Sequence, residues 1–425
     1  MAVLFVLGFA SGLPLYLTSQ TLQAWLTSAG VSHGRIAALS LVGLAYTFKF
    51  AWAPLLDRYH LPLLGRRRGW MLAFQIALIA AIGAMGMVDP VGDPELLVAL
   101  AVIVAVLSAS QDVVLDAYNA DLLAPEQRAA GSAVYVLGYR TAMVVTGTLA
   151  FVLADHVSWR LIYGAMAVLM AIGVAGTLLA EEPATPVGAP QSLAEAITLP
   201  FLELWHRLGP RRLALVLAFT ALYKAGDYFA QALVITFLVR GASFELSEIG
   251  AIYQALGFLG TALGGLIAGT LVAKYGIRRM LITFGVLQAS TNLLYALLAI
   301  TGKSFPIFCT AVLVDNLANM TGTAAFVAFL MSVCSPRVSA TQFALLTSLS
   351  SVGQRVFGPL AANVVDAVGW DGFFAVTSAL AIPGLVLAWF VARDPASAPA
   401  RTLKDHDSAG VGGGDPTAVE RADTE

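Results

Sequence analysis

The chain has 425 residues, 58% of them hydrophobic and only 12% Asp, Glu, Lys or Arg, against about 25% charged in a soluble domain. A net charge of −2 leaves no basic face for a nucleic acid, and a mean hydropathy of +0.80 assigns most of the chain to lipid. Two cysteines (Cys309, Cys334) far apart along one apolar run and five histidines scattered over span ends, loops and tail give no disulfide framework and no metal-ligand spacing. No metal and no cofactor is therefore expected.

In chain order, twelve apolar spans are expected at 3–29, 34–57, 70–88, 96–118, 131–154, 160–180, 213–239, 248–272, 280–301, 305–331, 341–365 and 373–391. Each is near the 20 residues a helix needs to cross a bilayer, so the fold class is an all-α polytopic membrane protein. The first run starts almost at Met1 without a cationic leader and is too long for a signal-peptide core. It is expected to be a true membrane helix. Connection 58–69 holds Arg58, Arg66, Arg67 and Arg68, loop 273–279 holds Lys274, Arg278 and Arg279, and 181–212 ends in Arg207, Arg211 and Arg212. The alternate connections are acidic or nearly neutral, so the positive-inside rule places both termini in the cytoplasm.

The connection 181–212 opens Pro-rich and continues with Leu193, Ile197, Phe201, Leu204 and Leu208 at helical spacing, an amphipathic interfacial helix. The expected organisation is an N-terminal six-helix bundle (1–180), this cytoplasmic linker (181–212), a C-terminal six-helix bundle (213–392) and a disordered cytoplasmic tail (393–425). The halves echo one another. Gly138-Tyr139-Arg140 in span five answers Gly353-Gln354-Arg355 in span eleven, each followed by an Asp and a Trp (Asp155 and Trp159; Asp366 and Trp370). Two six-helix halves around a long central loop resemble the major facilitator superfamily.

Charges inside the spans carry the functional signal, since a charge at the bilayer centre must face a partner or a wet cavity. They are Lys49, Asp112, Asp116 and Arg140 in the first half and Lys224, Asp227, Asp315 and Arg355 in the second. Lys49, Arg140 and Arg355 lie about 12 Å or more from their cytoplasmic ends at helical rise, deeper than easy snorkelling reaches. Structural ion pairs such as Asp112 with Arg140 or Asp315 with Arg355 are the plain alternative to a binding role. Asp112 and Asp116 share one helix face, and a carboxylate that gains and loses a proton is what proton coupling requires. Only Asp112 combines depth with motif context, so one coupled proton is expected. Amides and aromatics accompany these charges, among them Gln20, Gln23, Tyr46, Gln111, Tyr139, Asn316 and Gln342. They suit a sugar, while the cations suit carboxylates. Gly8, Gly12, Gly260, Gly264 and Gly265 are expected to let helices pack closely.

Asp57-Arg58 followed by Gly65-Arg66-Arg67-Arg68-Gly69 resembles the loop motif of the major facilitators, in which an acid ends helix two and a Gly-flanked basic cluster follows. The resemblance implies a conformational gate at Asp57, Arg58, Arg66, Arg67 and Arg68. A narrower resemblance lies in LGFASGLP (7–14), LQAW (22–25), FKFAW (48–52), GRRRGW (65–70), SASQDVVLDAY (108–118), LGYR (137–140), LYKAGD (222–227) and SATQFALL (339–346). These segments, in order over about residues 4–392, are similar to the AmpG muropeptide permease family.

The resemblance implies proton-coupled import of N-acetylglucosamine–1,6-anhydro-N-acetylmuramic acid, with or without peptide, across the bacterial inner membrane. It carries over Lys49, Gln111, Asp112, Asp116, Arg140, Lys224 and Asp227 as coupling or binding residues. The chain departs from longer members in lacking their extra C-terminal hydrophobic segment. The implied partners are an anionic glycopeptide, protons and the bilayer, with the chain acting as a monomer. Other readings are a same-fold transporter of another anionic cargo, such as acetyl-CoA or a drug, and a membrane sensor of wall fragments that does not transport. An enzyme is not expected, because no Ser/His/Asp set, metal spacing or phosphate loop is present.

Overall fold

The computed structural model describes residues 1–59, 61, 64–123, 128–183, 193–334 and 339–391; the expected tail 393–425 lies outside them. The described chain is helical, with no strand among these residues. The first half comprises α1 (Ala2–Leu17), α2 (Gln20–Ser28), α3 (His33–Ala38), α4 (Leu44–Phe48), α5 (Ala53–Arg58), α6 (Arg66–Met85), α7 (Pro94–Leu122), α8 (Arg128–Val144), α9 (Ala150–Ala154) and α10 (Trp159–Leu179). The second comprises α11 (Leu193–Leu222), α12 (Ala225–Thr236), α13 (Leu246–Tyr275), α14 (Ile277–Thr301), α15 (Phe305–Val333), α16 (Ser339–Phe357) and α17 (Leu360–Val391).

Ten stretches among the described residues are long and apolar enough to cross a membrane. The expected spans 34–57 and 341–365 are not among the ten. The first is cut into α3, α4 and α5 by the 3₁₀ stretches Leu39–Gly43 and Lys49–Ala51, and α16 is rich in Ser, Thr and Gln. Helix α6 starts four residues earlier than expected, because Arg66, Arg67 and Arg68 form its first turn. Cations are unfavourable at a helix N-terminus; Glu182 offsets this by accepting the backbone N–H groups of Arg67 (2.8 Å) and Arg68 (3.1 Å). The linker helix and span seven run together as α11, bent at Gly209 with φ 73°, a left-handed value that resists a side chain.

Small residues let helices touch at backbone level. A Cβ on Gly8 or Gly12 of α1 would strike the carbonyls of Tyr135 and Tyr139 in α8, and one on Gly260 or Gly264 of α13 would strike those of Leu313 and Leu317 in α15. Without a hydrophobic drive between helices in lipid, such close approach is what packs them. Gly265 meets only the Met320 side chain.

The halves meet through α2, α3, α4 and α9 on one side and α12, α13, α16 and α17 on the other. Their mutual hydrogen bonds cluster at the face that bears the connections 28–33, 154–159 and 241–246. Gln23 Nε2 donates to the Ala232 carbonyl (2.7 Å), Arg240 Nη2 to the Thr27 carbonyl (2.7 Å), and the Ser247 N–H to Asp155 Oδ2 (2.8 Å). His33 Nδ1 pairs with Asp366 Oδ1 at 3.1 Å. The opposite face bears Arg66, Arg67 and Arg68, and Asp116 in α7 is exposed.

Candidate functional site

Each half breaks its first crossing in mid-membrane. Helix α1 stops at Leu17 and α2 resumes at Gln20; α11 stops at Leu222 and α12 resumes at Ala225. Lipid offers no hydrogen bonds, so the freed backbone groups need side chains or a wet cavity. Thr18 Oγ1 returns to the Pro14 carbonyl (3.2 Å), Ser19 Oγ to that of Leu15 (2.7 Å), and the Tyr163 hydroxyl reaches that of Leu17 (2.8 Å). Lys224 stands in the other break, at the N-cap of α12.

Between the halves lies a cavity of about 500 Å³, within the range of small-molecule sites. Gln20, Gln23, Tyr46 and Arg140 line it from the first half, and Asp315, Asn316 and Arg355 from the second. Seven of the expected site residues are thus brought together. The pairings Asp112–Arg140 and Asp315–Arg355 are absent among the described residues. Asp112 accepts the Ser11 hydroxyl at 2.5 Å and Asp315 that of Thr291 at 2.8 Å. Arg140 is exposed, and Arg355 Nε is buried without a partner among the described residues. The Arg355 guanidinium occupies the space a Cβ would take on Gly43, and Ser40 Oγ donates to the Arg355 carbonyl at 3.0 Å. Asn316 turns its amide N–H onto the Val312 carbonyl of its own helix (2.8 Å).

The remaining expected residues lie apart from the cavity wall. Lys49 Nζ pairs with Asp116 Oδ2 at 3.4 Å, an exposed contact of small energetic weight. Gln111 is fully buried and donates to the Ala10 carbonyl at 3.1 Å. The Tyr139 carbonyl lies against Gly12. Gln342, fully buried, donates to Glu203 in α11, which ties α16 to the linker helix. In the second half Lys224 Nζ is 3.6 Å from Asp227 Oδ2 and donates to Gln288 Oε1 (3.0 Å) and the Asn319 carbonyl (3.1 Å). Asp227 also accepts Gln288 Nε2.

Of the expected gate, Asp57 and Arg58 fall in α5, but their side chains lie outside the described residues. Arg66 opens α6. Arg67 Nε bonds Asp121 Oδ2 at 2.9 Å in a pair nearly closed to solvent. Arg68 donates to the carbonyls of Thr177 (3.1 Å) and Leu178 (2.9 Å). These bonds all stay within the first half.

Sequence reasoning passed over Ser11, Ser40, Tyr253, Gln288, Asn292 and Tyr295. A signal existed for the last two and Gln288: with Thr291 they stand at i, i+3, i+4 and i+7, one polar stripe along a membrane helix. Ser11 and Ser40 had none, because a small hydroxyl is common at helix contacts.

A sequence model of the Major Facilitator Superfamily matches residues 3–354 and, in a second match, 217–418. The Escherichia coli (strain K12) anhydromuropeptide permease is 47% identical over 387 residues, covering 91% of this chain and 78% of that one. A putative transporter AmpG 4 of Rickettsia felis is 29% identical, covering 91% and 95%. Among solved structures, the nucleoside transporter NupG superposes with TM-score 0.71 at 16% identity, covering 92% of this chain and 97% of that one. The peptide transporter POT in complex with sulfate gives 0.70 at 15%, covering 92% and 94%. At such identities these structures speak for the fold alone. The chain is a multi-pass membrane protein that belongs to the major facilitator superfamily and, within it, to the AmpG permease family.

Proposed function

We propose that the chain imports anhydromuropeptides, N-acetylglucosamine–1,6-anhydro-N-acetylmuramic acid with or without peptide, from periplasm to cytoplasm together with protons. The observation that carries this reading is 47% identity, over 91% of the chain, to a permease of that name. The cavity supports it chemically. Arg140 and Arg355 stand on opposite walls without a carboxylate partner among the described residues, and a guanidinium forks onto a substrate carboxylate. Gln20, Gln23, Tyr46 and Asn316 give the wall amide and phenol groups for sugar hydroxyls.

In this reading the face rich in arginine is cytoplasmic, both termini lie on that side, and the state described is open inward. The halves (1–180 and 213–392, joined by 181–212) rock about the cavity as a monomer in the bacterial inner membrane. Asp112, held by Ser11, carries a coupling proton, and Asp116 with Lys49 serves it from the open side. In the outward-open state Asp57, Arg58, Arg66, Arg67 and Arg68 latch the cytoplasmic face. Labelled anhydromuropeptide should accumulate in proteoliposomes under an inward proton gradient. Absence of both uptake and counterflow would overturn the reading, and binding of acetyl-CoA alone would replace the cargo.

A further inference from the structure

A recess of about 10 Å³, the room of one water molecule, opens beside the cavity and is lined by Asp227, Asn292, Tyr295 and Asp315 among others. Asp315 lines the main cavity as well, so the recess joins the transport path. The titratable groups lining it are Asp227 from the start of α12, Tyr253 from α13, Tyr295 from α14 and Asp315 from α15. Lys224 pairs with Asp227 behind it, and Arg140 from α8, Tyr228 from α12 and Arg355 from α16 line the cavity that Asp315 shares. Helix α17 packs behind α12 and α14, with Thr377 and Ala381 against Gly226 and Phe374 against Tyr295, all uncharged.

The ammonium of Lys224 donates to Gln288 and the Asn319 carbonyl and forms an ion pair with Asp227. Asp227 is thereby matched. Asp315 receives only the Thr291 hydroxyl among the described residues. Arg140 and Arg355 line the cavity that Asp315 shares but form no ion pair with it among the described residues. An ionised Asp315 is therefore a carboxylate inside the membrane without an ion partner of its own, a costly state. One proton on Asp315 removes it. Two further groups point to what fills the recess. Asn292 and Tyr295 are 2% and 1% exposed, and the Asn292 Nδ2 and Tyr295 hydroxyl have no hydrogen-bond partner among the described residues.

We propose that Asp315 is a second proton-carrying site, loaded through one water molecule that Asn292 and Tyr295 hold in this recess. The proposal rests on the transport reading above and adds a proton to the one assigned to Asp112. The step is proton transfer alone: a hydronium in the cavity gives a proton to the recess water as that water passes one of its own to the Asp315 carboxyl. An O–H bond thus breaks on each donor, one forms on each acceptor, and the recess water stays neutral. After rocking, the proton returns to water on the other side. A sodium ion fits less well, because the Asn292 amide N–H group lines the recess and the Lys224 ammonium already pairs with Asp227 beside it.

Two measurements test this. Infrared difference spectra of the purified protein across a pH titration should show a protonated-carboxyl band that Asp315→Asn removes; an unchanged band overturns the assignment. In proteoliposomes at equal pH, two protons with the singly anionic, peptide-free sugar move one net positive charge. An inside-negative potential should then raise accumulation about fifty-fold per 100 mV. Asp315→Asn should lose this response. Tyr295→Phe, which deletes one hydroxyl, should weaken the response. Wild-type uptake indifferent to potential, a response retained in Asp315→Asn, or dependence on sodium would each overturn the proposal. Absence of sugar counterflow in the wild type would sink the transport reading instead, with the infrared result deciding the proton site separately.

Discussion

The side-chain amide of Gln111 donates a 3.1 Å hydrogen bond to the carbonyl of Ala10, four residues before Pro14 inside α1. Proline has no N–H, so the carbonyl four residues earlier loses its helical partner, and in lipid no water replaces it. Gln111 fills that vacancy from α7. Gln111→Leu should therefore destabilise the protein by about 1–3 kcal/mol, seen as a lower melting temperature in detergent. In a Pro14→Ala background, where residue 14 regains its N–H, the same substitution should cost less. Equal losses in both backgrounds would refute the link.

The closed face is fastened by charges on helix ends that cross between the halves. Asp155 accepts the Ser247 N–H at the start of α13, and Arg240 donates to the Thr27 carbonyl at the end of α2. An acid at an N-terminus and a cation at a C-terminus each complement the helix dipole, by about 0.3–1 kcal/mol. Asp155→Ala and Arg240→Ala should each shift the population about two- to fivefold toward the state open on this face. Spin-label distances across the face would report it, and unchanged distance distributions would sink the idea.

Gly43 and Arg355 share a space that only one of them can fill. A methyl at position 43 would overlap the Arg355 guanidinium, the movable end of a long side chain. Gly43→Ala should fold normally yet displace Arg355 from the cavity wall. Substrate half-saturation should then rise about tenfold or more, as for a lost hydrogen bond to a charged group. A matching rise in Arg355→Ala, with no further rise in the double variant, would confirm the shared cause.

Much of this was legible in the sequence, for identifiable reasons. Apolar runs declare membrane helices because lipid leaves the backbone no alternative. The echo between Gly138-Tyr139-Arg140 and Gly353-Gln354-Arg355 pointed to equivalent positions, and both arginines do line one cavity. The echo of Asp155 and Asp366 likewise marks two acids that each bind the other half, at Ser247 and His33. What stayed hidden depends on distant partners. Nothing near Gln342 announces Glu203, and nothing near Asp112 announces Ser11, 101 residues away. The breaks at Thr18–Ser19 and Tyr223–Lys224 carry no Gly, and neither position holds the proline that usually marks one.

Arg140 should not tolerate lysine. Its guanidinium reaches the cavity from α8 without a carboxylate partner among the described residues, and a planar fork on a carboxylate is not reproduced by a point charge. Arg140→Lys should raise half-saturation nearly as much as Arg140→Ala, about tenfold. Unchanged half-saturation in both would remove Arg140 from the binding site.

Asp112 offers the cleanest energetic test. Its Oδ1 accepts the Ser11 hydroxyl at 2.5 Å, a bond that an asparagine oxygen can still accept, so Asp112→Asn should keep the local shape and remove only the proton. Each coupled proton is worth about 1.36 kcal/mol per pH unit, or about tenfold in accumulation. Under a gradient of about one pH unit, Asp112→Asn should accumulate anhydromuropeptide about tenfold less than the wild type. Exchange at equal pH on both sides requires no net proton movement and should be largely spared. A normal accumulation ratio in Asp112→Asn would assign the carboxylate to structure and leave coupling to the second half alone. Loss of exchange together with accumulation would place Asp112 in substrate handling instead.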